Sequence, residues 1–170
     1  MPQSLSRILI HTVYSTKDRL PFLLDPELRD ETHAYLAGCA KSLDCLPVRI
    51  GGTENHVHLL TTLSRTVTVA DFVKETKRNT TLWVKEKTGH QDFSWQAGYG
   101  CFSVSESQLP VVAKYIDKQE EHHRKAHFRT NTGSFCGFMA KAGMRNTSGI
   151  DSGTDATPLG LGYTGAEFPG

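Results

Sequence analysis

Two histidines in the segment GGTENHVHLL have the residue type and spacing of a metal-binding pair. They are His56 and His58, with Val57 between them. In a β-strand, residues i and i+2 point to the same face, about 6–7 Å apart. Both imidazoles would therefore project side by side, while Val57 points to the opposite face. Two neutral imidazoles on one rigid strand supply half of a preorganised metal site.

A second pair of polar residues lies on a predicted helix, where Tyr115 and Gln119 are four residues apart. Residues i and i+4 share one helix face. Tyr115 borders an apolar stripe with the spacing i, i+3, i+4 and i+7. The stripe consists of Leu109, Val112, Ala113 and Ile116. The tyrosine ring can therefore contact the core while its hydroxyl faces a cleft.

Together these four residues predict a reaction on a phosphodiester. A tyrosine hydroxyl is a poor nucleophile at neutral pH, because its pKa is near 10. A metal ion beside it can orient and polarise the phosphodiester. The nitrogens of His56 and His58 and the carbonyl of Gln119 form a neutral set with mixed N and O donors, which suits Mg²⁺ or Mn²⁺. Attack by Tyr115 would give a covalent phosphotyrosine that conserves bond energy for a rejoining step.

Two other histidine-based classes of enzyme are excluded by spacing. A histidine-triad nucleotide hydrolase requires a third histidine two residues after His58, where this chain has Leu60. A two-histidine phosphoesterase requires repeated HxT or HxS motifs. The segment His11-Thr12-Val13 lacks that spacing, and no second copy occurs.

The elements that must position these residues follow from periodicity, turns and caps. Asp25-Pro26 has the types expected at a helix N-cap and first helical position. Ser105 to Gln108 has the pattern of a capping box that opens a third helix. The predicted strands are 7–14, 46–52, 56–63 and 99–104, and the predicted helices are 26–43, 68–87 and 105–128. The order β-α-β-β-α-β-α predicts an α+β, ferredoxin-like antiparallel sheet, with helices packed mainly on one face and a catalytic helix added.

Composition is that of a soluble globular protein and does not by itself indicate a nucleic-acid partner. The 170 residues carry a net charge of +1, so affinity for nucleic acid must come from a cluster. No apolar run approaches the roughly 20 residues that cross a bilayer, and no signal peptide is recognisable. We therefore expect a cytoplasmic protein without membrane contact. The predicted DNA-binding residues lie near one face of the second helix and are Lys74, Lys77, Arg78 and Lys85.

The motifs resemble those of the HUH transposases with one catalytic tyrosine, which serve the smallest bacterial insertion sequences, and of the related REP-associated tyrosine transposases. The resemblance covers about residues 3–128. It rests on the HVHLL strand, the segment WQAGYGCFSVS and the helix YIDKQEEHHRK. Position by position, it implies His56, His58 and Gln119 as metal ligands and Tyr115 as nucleophile. It also implies a single-stranded DNA substrate with hairpin ends, 5′-phosphotyrosine intermediates and a homodimer.

The chain departs from the family pattern after Phe128. Residues 130–170 contain nine glycines, six threonines and three serines, which bury too little apolar surface to offset the entropy of ordering. The sequence thus predicts a transposase domain over 1–128 and a disordered tail over 129–170. The tail leaves one alternative open, in which the protein is a catalytically degenerate module that binds single-stranded nucleic acid.

Overall fold

A computed structural model describes residues 5–119 of the chain. Its sheet has four strands, β1 (Ile8–Ser15), β2 (Pro47–Thr53), β3 (His56–Leu63) and β4 (Gly100–Val104). The helices are α1 (Pro26–Ser42), α2 (Val69–Thr88) and α3 (Leu109–Asp117), and single 3-10 turns cover Lys17–Arg19 and Glu106–Gln108. Every strand and both longer helices begin and end within two residues of their predicted bounds.

The strands are all antiparallel to their neighbours and lie in the order β2-β3-β1-β4. This is the order that a β-α-β-β-α-β chain gives when two crossover helices cover the same face, so the predicted α+β fold is confirmed. Asp25 caps α1 through the backbone N–H groups of Glu27 and Leu28. Thr68 caps α2 through the N–H of Asp71.

The two faces of the sheet carry two separate apolar clusters. The larger cluster packs α1 and α2 against one face, through residues such as Ile10, Val57, Leu59 and Phe72. The smaller cluster packs α3 against the other face and consists of Leu9, Leu60, Val104, Val112 and Ile116. Side chains alternate between faces along a strand, so β1 and β3 contribute to both clusters.

The start of α3 differs from the prediction. Ser105 makes no capping hydrogen bond, and its hydroxyl instead contacts the hydroxyl of Ser107 at 3.1 Å. The α-helix begins four residues later, at Leu109, with Pro110 in its first turn. Proline lacks an N–H and fits only the first turn of a helix. A helix that began at Ser105 would have placed Pro110 in its interior.

The end of α3 also differs. The α-helix ends at Asp117, and Lys118 has left the helical conformation, with φ −96° and ψ 12°. The sequence predicted Tyr115 and Gln119 on one continuous helix, but α3 ends between them. The remainder of the predicted helix, 120–128, and the predicted tail, 129–170, lie outside the described residues.

Candidate active site

Strand β3 places His56 and His58 on the sheet face that α3 covers. Their ring centroids are 5.1 Å apart. Val57 and Leu59, which alternate with them, are fully buried in the cluster on the opposite face. The predicted side-by-side arrangement of the two histidines is confirmed, and the apolar residues between them explain why the strand cannot slip by one residue.

The hairpin turn before β3 fixes the ring of His56. Its Nδ1 lies 2.8 Å from Oδ1 of Asn55 and 2.9 Å from Oγ1 of Thr53. The turn itself is tied to the preceding chain, because the carbonyl oxygens of Glu54 and Asn55 accept from Leu23 and Thr16, each at 2.9 Å. An amide oxygen only accepts hydrogen bonds, so the contact with Asn55 favours a proton on Nδ1 of His56. Nε2 then carries the lone pair.

His58 has a histidine neighbour on β1 that the sequence analysis did not select. Nε2 of His11 lies 2.9 Å from Nδ1 of His58, and the two rings are close to parallel, with an interplanar angle of 21°. Both side chains are buried, each with about 2% of its surface exposed. Burial lowers the pKa of His11 to about 4, because the interior disfavours the charged imidazolium.

Helix α3 brings Tyr115 against the histidines. The tyrosine ring meets the ring of His58 edge to face, at 5.7 Å and 88°. It also lies 6.5 Å from the ring of His11. Burial raises the pKa of Tyr115, and a hydrogen bond with Gln119 opposes that effect. The phenol is thus protonated at neutral pH and must lose its proton during any nucleophilic attack.

The other described tyrosines lie elsewhere. Tyr14 is buried in the cluster formed with α1 and α2, with its ring against Trp95. Tyr35 stacks on Trp83 at 4.8 Å. Tyr99 is exposed near Lys77. Among residues 5–119, Tyr115 is the tyrosine that ring contacts place beside the histidine pair.

Gln119 is buried and completes the group from just beyond α3. Its Oε1 lies 3.4 Å from Nε2 of His56, and its Nε2 donates to the backbone carbonyl of Tyr115 at 3.5 Å. Two lone pairs therefore face each other when His56 carries its proton on Nδ1. This arrangement fits two ligands of one cation better than it fits a hydrogen bond.

The donor set also limits what such a cation could be. The described residues contain no group of three or more His, Cys, Asp and Glu side chains that could hold a metal ion. A metal at this site would therefore depend on Gln119 and on oxygen atoms from water or substrate, besides the two histidines. Imidazole and amide oxygen donors with open positions fit Mg²⁺ or Mn²⁺.

Two contacts hold α3 on the sheet. Gly51 of β2 pairs with His58, and a Cβ at that position would lie 2.8 Å from Cγ2 of Ile116. At the end of α3, Arg49 and Asp117 form two parallel N–O contacts of 2.8 and 3.0 Å. The absent side chain at Gly51 thus lets the helix that carries Tyr115 approach the strand beside the histidines.

The predicted DNA-binding residues lie on α2, which packs against the opposite face of the sheet from the histidines. Lys77 also contacts the protein itself, and its contact with phosphate stays a prediction. Its half-buried ammonium donates to the carbonyls of Gln96, Ala97 and Gly98 at 2.7, 3.3 and 2.9 Å, because the loop before β4 passes over this turn of α2. Arg78 contacts Glu75 at 3.6 Å. Phosphate contacts by Lys74, Arg78 and Lys85 stay a prediction.

With this geometry in view, the chain can be compared with known proteins. Residues 4–119 match the family model of the IS200-like transposases. The chain belongs to this family. No curated protein matches it significantly. The protein is therefore a member of a transposase family, and the match covers every element that positions the histidines and Tyr115.

Two of the solved structures that match share the fold of this chain. One is a candidate transposase from Deinococcus radiodurans R1, with 23% identity and a TM-score of 0.57, covering 70% of this chain and 98% of that one. The other is a REP-associated tyrosine transposase bound to a REP hairpin, with 13% identity and a TM-score of 0.53, covering 94% of this chain and 95% of that one. At these identities the likeness concerns the fold.

None of the helices in the described part of the chain has the length and apolarity to span a membrane.

His11 and Asn55 were not predicted as site residues, although both contact the predicted ligands. For Asn55 a local signal existed, since it directly precedes His56 in the turn. For His11 the signal was its place in β1 between Ile10 and Thr12, because neighbouring residues of a strand point to opposite faces. Its partner could be found only from the register between β1 and β3, in which His11 pairs with Leu60 and Val13 pairs with His58.

Proposed function

We propose that this transposase cleaves and rejoins single-stranded DNA through a covalent bond between Tyr115 and a 5′ phosphate. The observation that supports the proposal is the meeting of four side chains from β3, α3 and the residues just beyond α3. His56 and His58 come from β3, Tyr115 from α3 and Gln119 from the residues just beyond it. A nucleophile held beside candidate metal ligands is an arrangement suited to metal-assisted phosphoryl transfer.

In the cleavage step, the hydroxyl oxygen of Tyr115 attacks the phosphorus and forms a new P–O bond. The bond from phosphorus to the 3′ oxygen breaks, and that oxygen leaves with the electron pair. The tyrosine proton passes to solvent, and the leaving oxygen takes up a proton and becomes a free 3′ hydroxyl. In the rejoining step a 3′ hydroxyl attacks the phosphotyrosine and releases Tyr115 with its proton restored.

The surrounding residues hold the nucleophile in place for this reaction. The edge-to-face contact with His58 restricts rotation of the Tyr115 ring. Burial raises the pKa of the phenol, so the hydroxyl of Tyr115 carries its proton at neutral pH and must lose it during the attack. A divalent ion held by His56, His58 and Gln119, Mg²⁺ or Mn²⁺, would stabilise the charge that develops on the phosphate oxygens.

The proposed substrate is single-stranded DNA with hairpin ends, and the proposed assembly is a homodimer. The substrate is supported by the similar fold of the REP-associated tyrosine transposase, which was solved with a REP hairpin. The dimer rests on the family resemblance in the sequence motifs. In a dimer, the described site could be completed either within one chain or between two chains.

The test incubates the full chain with Mg²⁺ and end-labelled single-stranded DNA that carries a hairpin, followed by a denaturing gel. Wild type is expected to form a covalent adduct that protease digestion removes. Tyr115→Phe keeps the ring packing and deletes only the hydroxyl, so it should bind the hairpin and form no adduct. Tyr99→Phe is the matched control and should behave like wild type, because Tyr99 is exposed and its ring lies near Lys77 of α2.

Two results would contradict the proposal. An adduct formed by Tyr115→Phe, or a phosphate mapped by mass spectrometry to another residue, would refute Tyr115 as nucleophile. Hairpin binding by wild type without any adduct at saturating Mg²⁺ or Mn²⁺ would favour the degenerate binding module instead.

A further inference from the structure

We infer that His11 is a positioning residue that holds His58 in the one tautomer able to bind a metal through Nε2. The inference rests on the proposed function, because it assigns His11 a task toward the proposed ligand. Its basis is a buried contact between two imidazoles on adjacent strands.

The two rings share one hydrogen bond. Nε2 of His11 and Nδ1 of His58 are 2.9 Å apart, and the small interplanar angle of 21° lets the lone pair of one nitrogen align with the N–H of the other. A neutral imidazole has one N–H donor and one lone pair. The proton between the rings therefore belongs either to His58 or to His11, and the two cases have opposite consequences.

If the proton belongs to Nδ1 of His58, the lone pair of that ring is on Nε2, where a metal ion could be bound. If it belongs to Nε2 of His11, a neutral His58 carries its own proton on Nε2 and cannot bind there. A ligating histidine is commonly held in the correct tautomer by an acceptor at its second nitrogen. His11 can be that acceptor for His58, as Asn55 is for His56.

The packing around His11 suits this task. The side chain is almost fully buried, so water does not compete for its lone pair. Its ring also contacts the edge of Tyr115, which limits rotation. In the register of the sheet, His11 is the diagonal neighbour of His58 on the same face. One ring thus touches both the proposed nucleophile and the proposed ligand.

The first measurement requires no variant. Long-range ¹H–¹⁵N correlation spectra of the ¹⁵N-histidine-labelled full chain, without metal or DNA, report the tautomer of each ring. We expect His58 to carry its proton on Nδ1 and His11 to have an unprotonated Nε2. A His58 ring protonated on Nε2 would overturn the inference, whatever the protein does with DNA.

The second measurement compares two substitutions by Mn²⁺ titration, followed by electron paramagnetic resonance. His11→Phe keeps a ring but deletes the acceptor, and it should weaken Mn²⁺ binding about 10- to 100-fold, as loss of an orienting partner typically does. His11→Gln places an amide oxygen at the position of Nε2 and should restore most of the affinity and the Nδ1 tautomer of His58. Equal Mn²⁺ affinity in wild type and His11→Phe would overturn the inference.

The two proposals can fail separately. A wild type that binds no Mn²⁺ would refute the metal-dependent function, while the tautomer spectrum would still decide the role of His11. If His11→Phe does not fold, the comparison of wild type with His11→Gln remains. A His11→Gln protein that keeps its melting temperature but loses the Nδ1 tautomer would also contradict the inference.

Discussion

Gly51→Ala should separate the position of the nucleophile from the stability of the fold. Gly51 pairs with His58 in the sheet, and a Cβ there would lie 2.8 Å from Cγ2 of Ile116 and 3.4 Å from the Ile116 carbonyl oxygen. Carbon atoms in contact are normally about 3.5–4.0 Å apart. The Ile116 side chain or the helix that carries it must therefore move by about 1 Å, and Ile116 is the neighbour of Tyr115 in that helix.

The expected cost differs between stability and rate. Overpacking of this kind usually destabilises a protein by about 1–3 kcal/mol. A displacement of about 1 Å between reacting groups can lower the rate about 100-fold. Single-turnover adduct formation with hairpin DNA measures the rate, and thermal unfolding measures the stability. We expect a folded protein whose adduct forms about two orders of magnitude more slowly.

Two comparisons control this experiment. Gly38→Ala adds a methyl group in α1, where nothing lies within 4 Å, and should leave the rate unchanged and stabilise slightly. Adding Ile116→Ala to Gly51→Ala removes the colliding methyl group. The losses of stability and of adduct rate in the double variant should therefore be smaller than the sum of the losses in the two single variants. A Gly51→Ala protein with the wild-type rate and melting temperature would refute the proposed contact between α3 and β2.

Three further predictions concern the ligands, the α2 lysines and a buried tyrosine. His56→Ala and His58→Ala should each abolish the adduct and weaken Mn²⁺ binding without unfolding the domain, and full activity in either would contradict the ligand assignment. Lys77→Gln should destabilise the fold by about 1–2 kcal/mol, because a charged donor to three carbonyls is lost, and should leave the salt dependence of DNA binding unchanged. Lys74→Gln is the matched exposed control. If Lys74 contacts phosphate, this change should leave the stability of the fold unchanged and lower the salt slope of DNA binding by about one. Burial raises the pKa of Tyr14 far above its ordinary value of 10.0, so the folded state holds a proton that the unfolded state loses above pH 10. Stability should therefore fall as pH rises, by about 1.4 kcal/mol between pH 9 and pH 11, and Tyr14→Phe should abolish that part of the loss.

Local sequence patterns predicted the helices and strands of the domain. They also predicted the direction of the paired histidines and the position of Tyr115 on its helix. The alternation around His56 and His58 depends only on neighbours along one strand, so it could be interpreted correctly. The position of Tyr115 at the border of an apolar stripe likewise follows from helical periodicity. Both patterns involve residues close together in the chain, where period and side-chain direction are fixed by the backbone.

What the sequence could not supply depends on contacts between distant segments. His11 meets His58 only because β1 and β3 pair in one particular register. Lys77 resembles any exposed cation on a helix until the loop at 96–98 is placed over it. The capping box at Ser105 was misleading because Pro110, which determines where α3 can begin, outweighs the local pattern.

The two faces of the sheet impose different demands on this chain. One face carries α1, α2 and the larger apolar cluster, which accounts for most of the buried core. Within the described residues 5–119, the other face carries the nine residues of α3, and a helix of that length is not stable alone in water. Its position must come from five buried apolar residues, the missing side chain at Gly51 and the Arg49–Asp117 pair. Small changes at these contacts should therefore alter the distance from Tyr115 to the histidines before they unfold the domain.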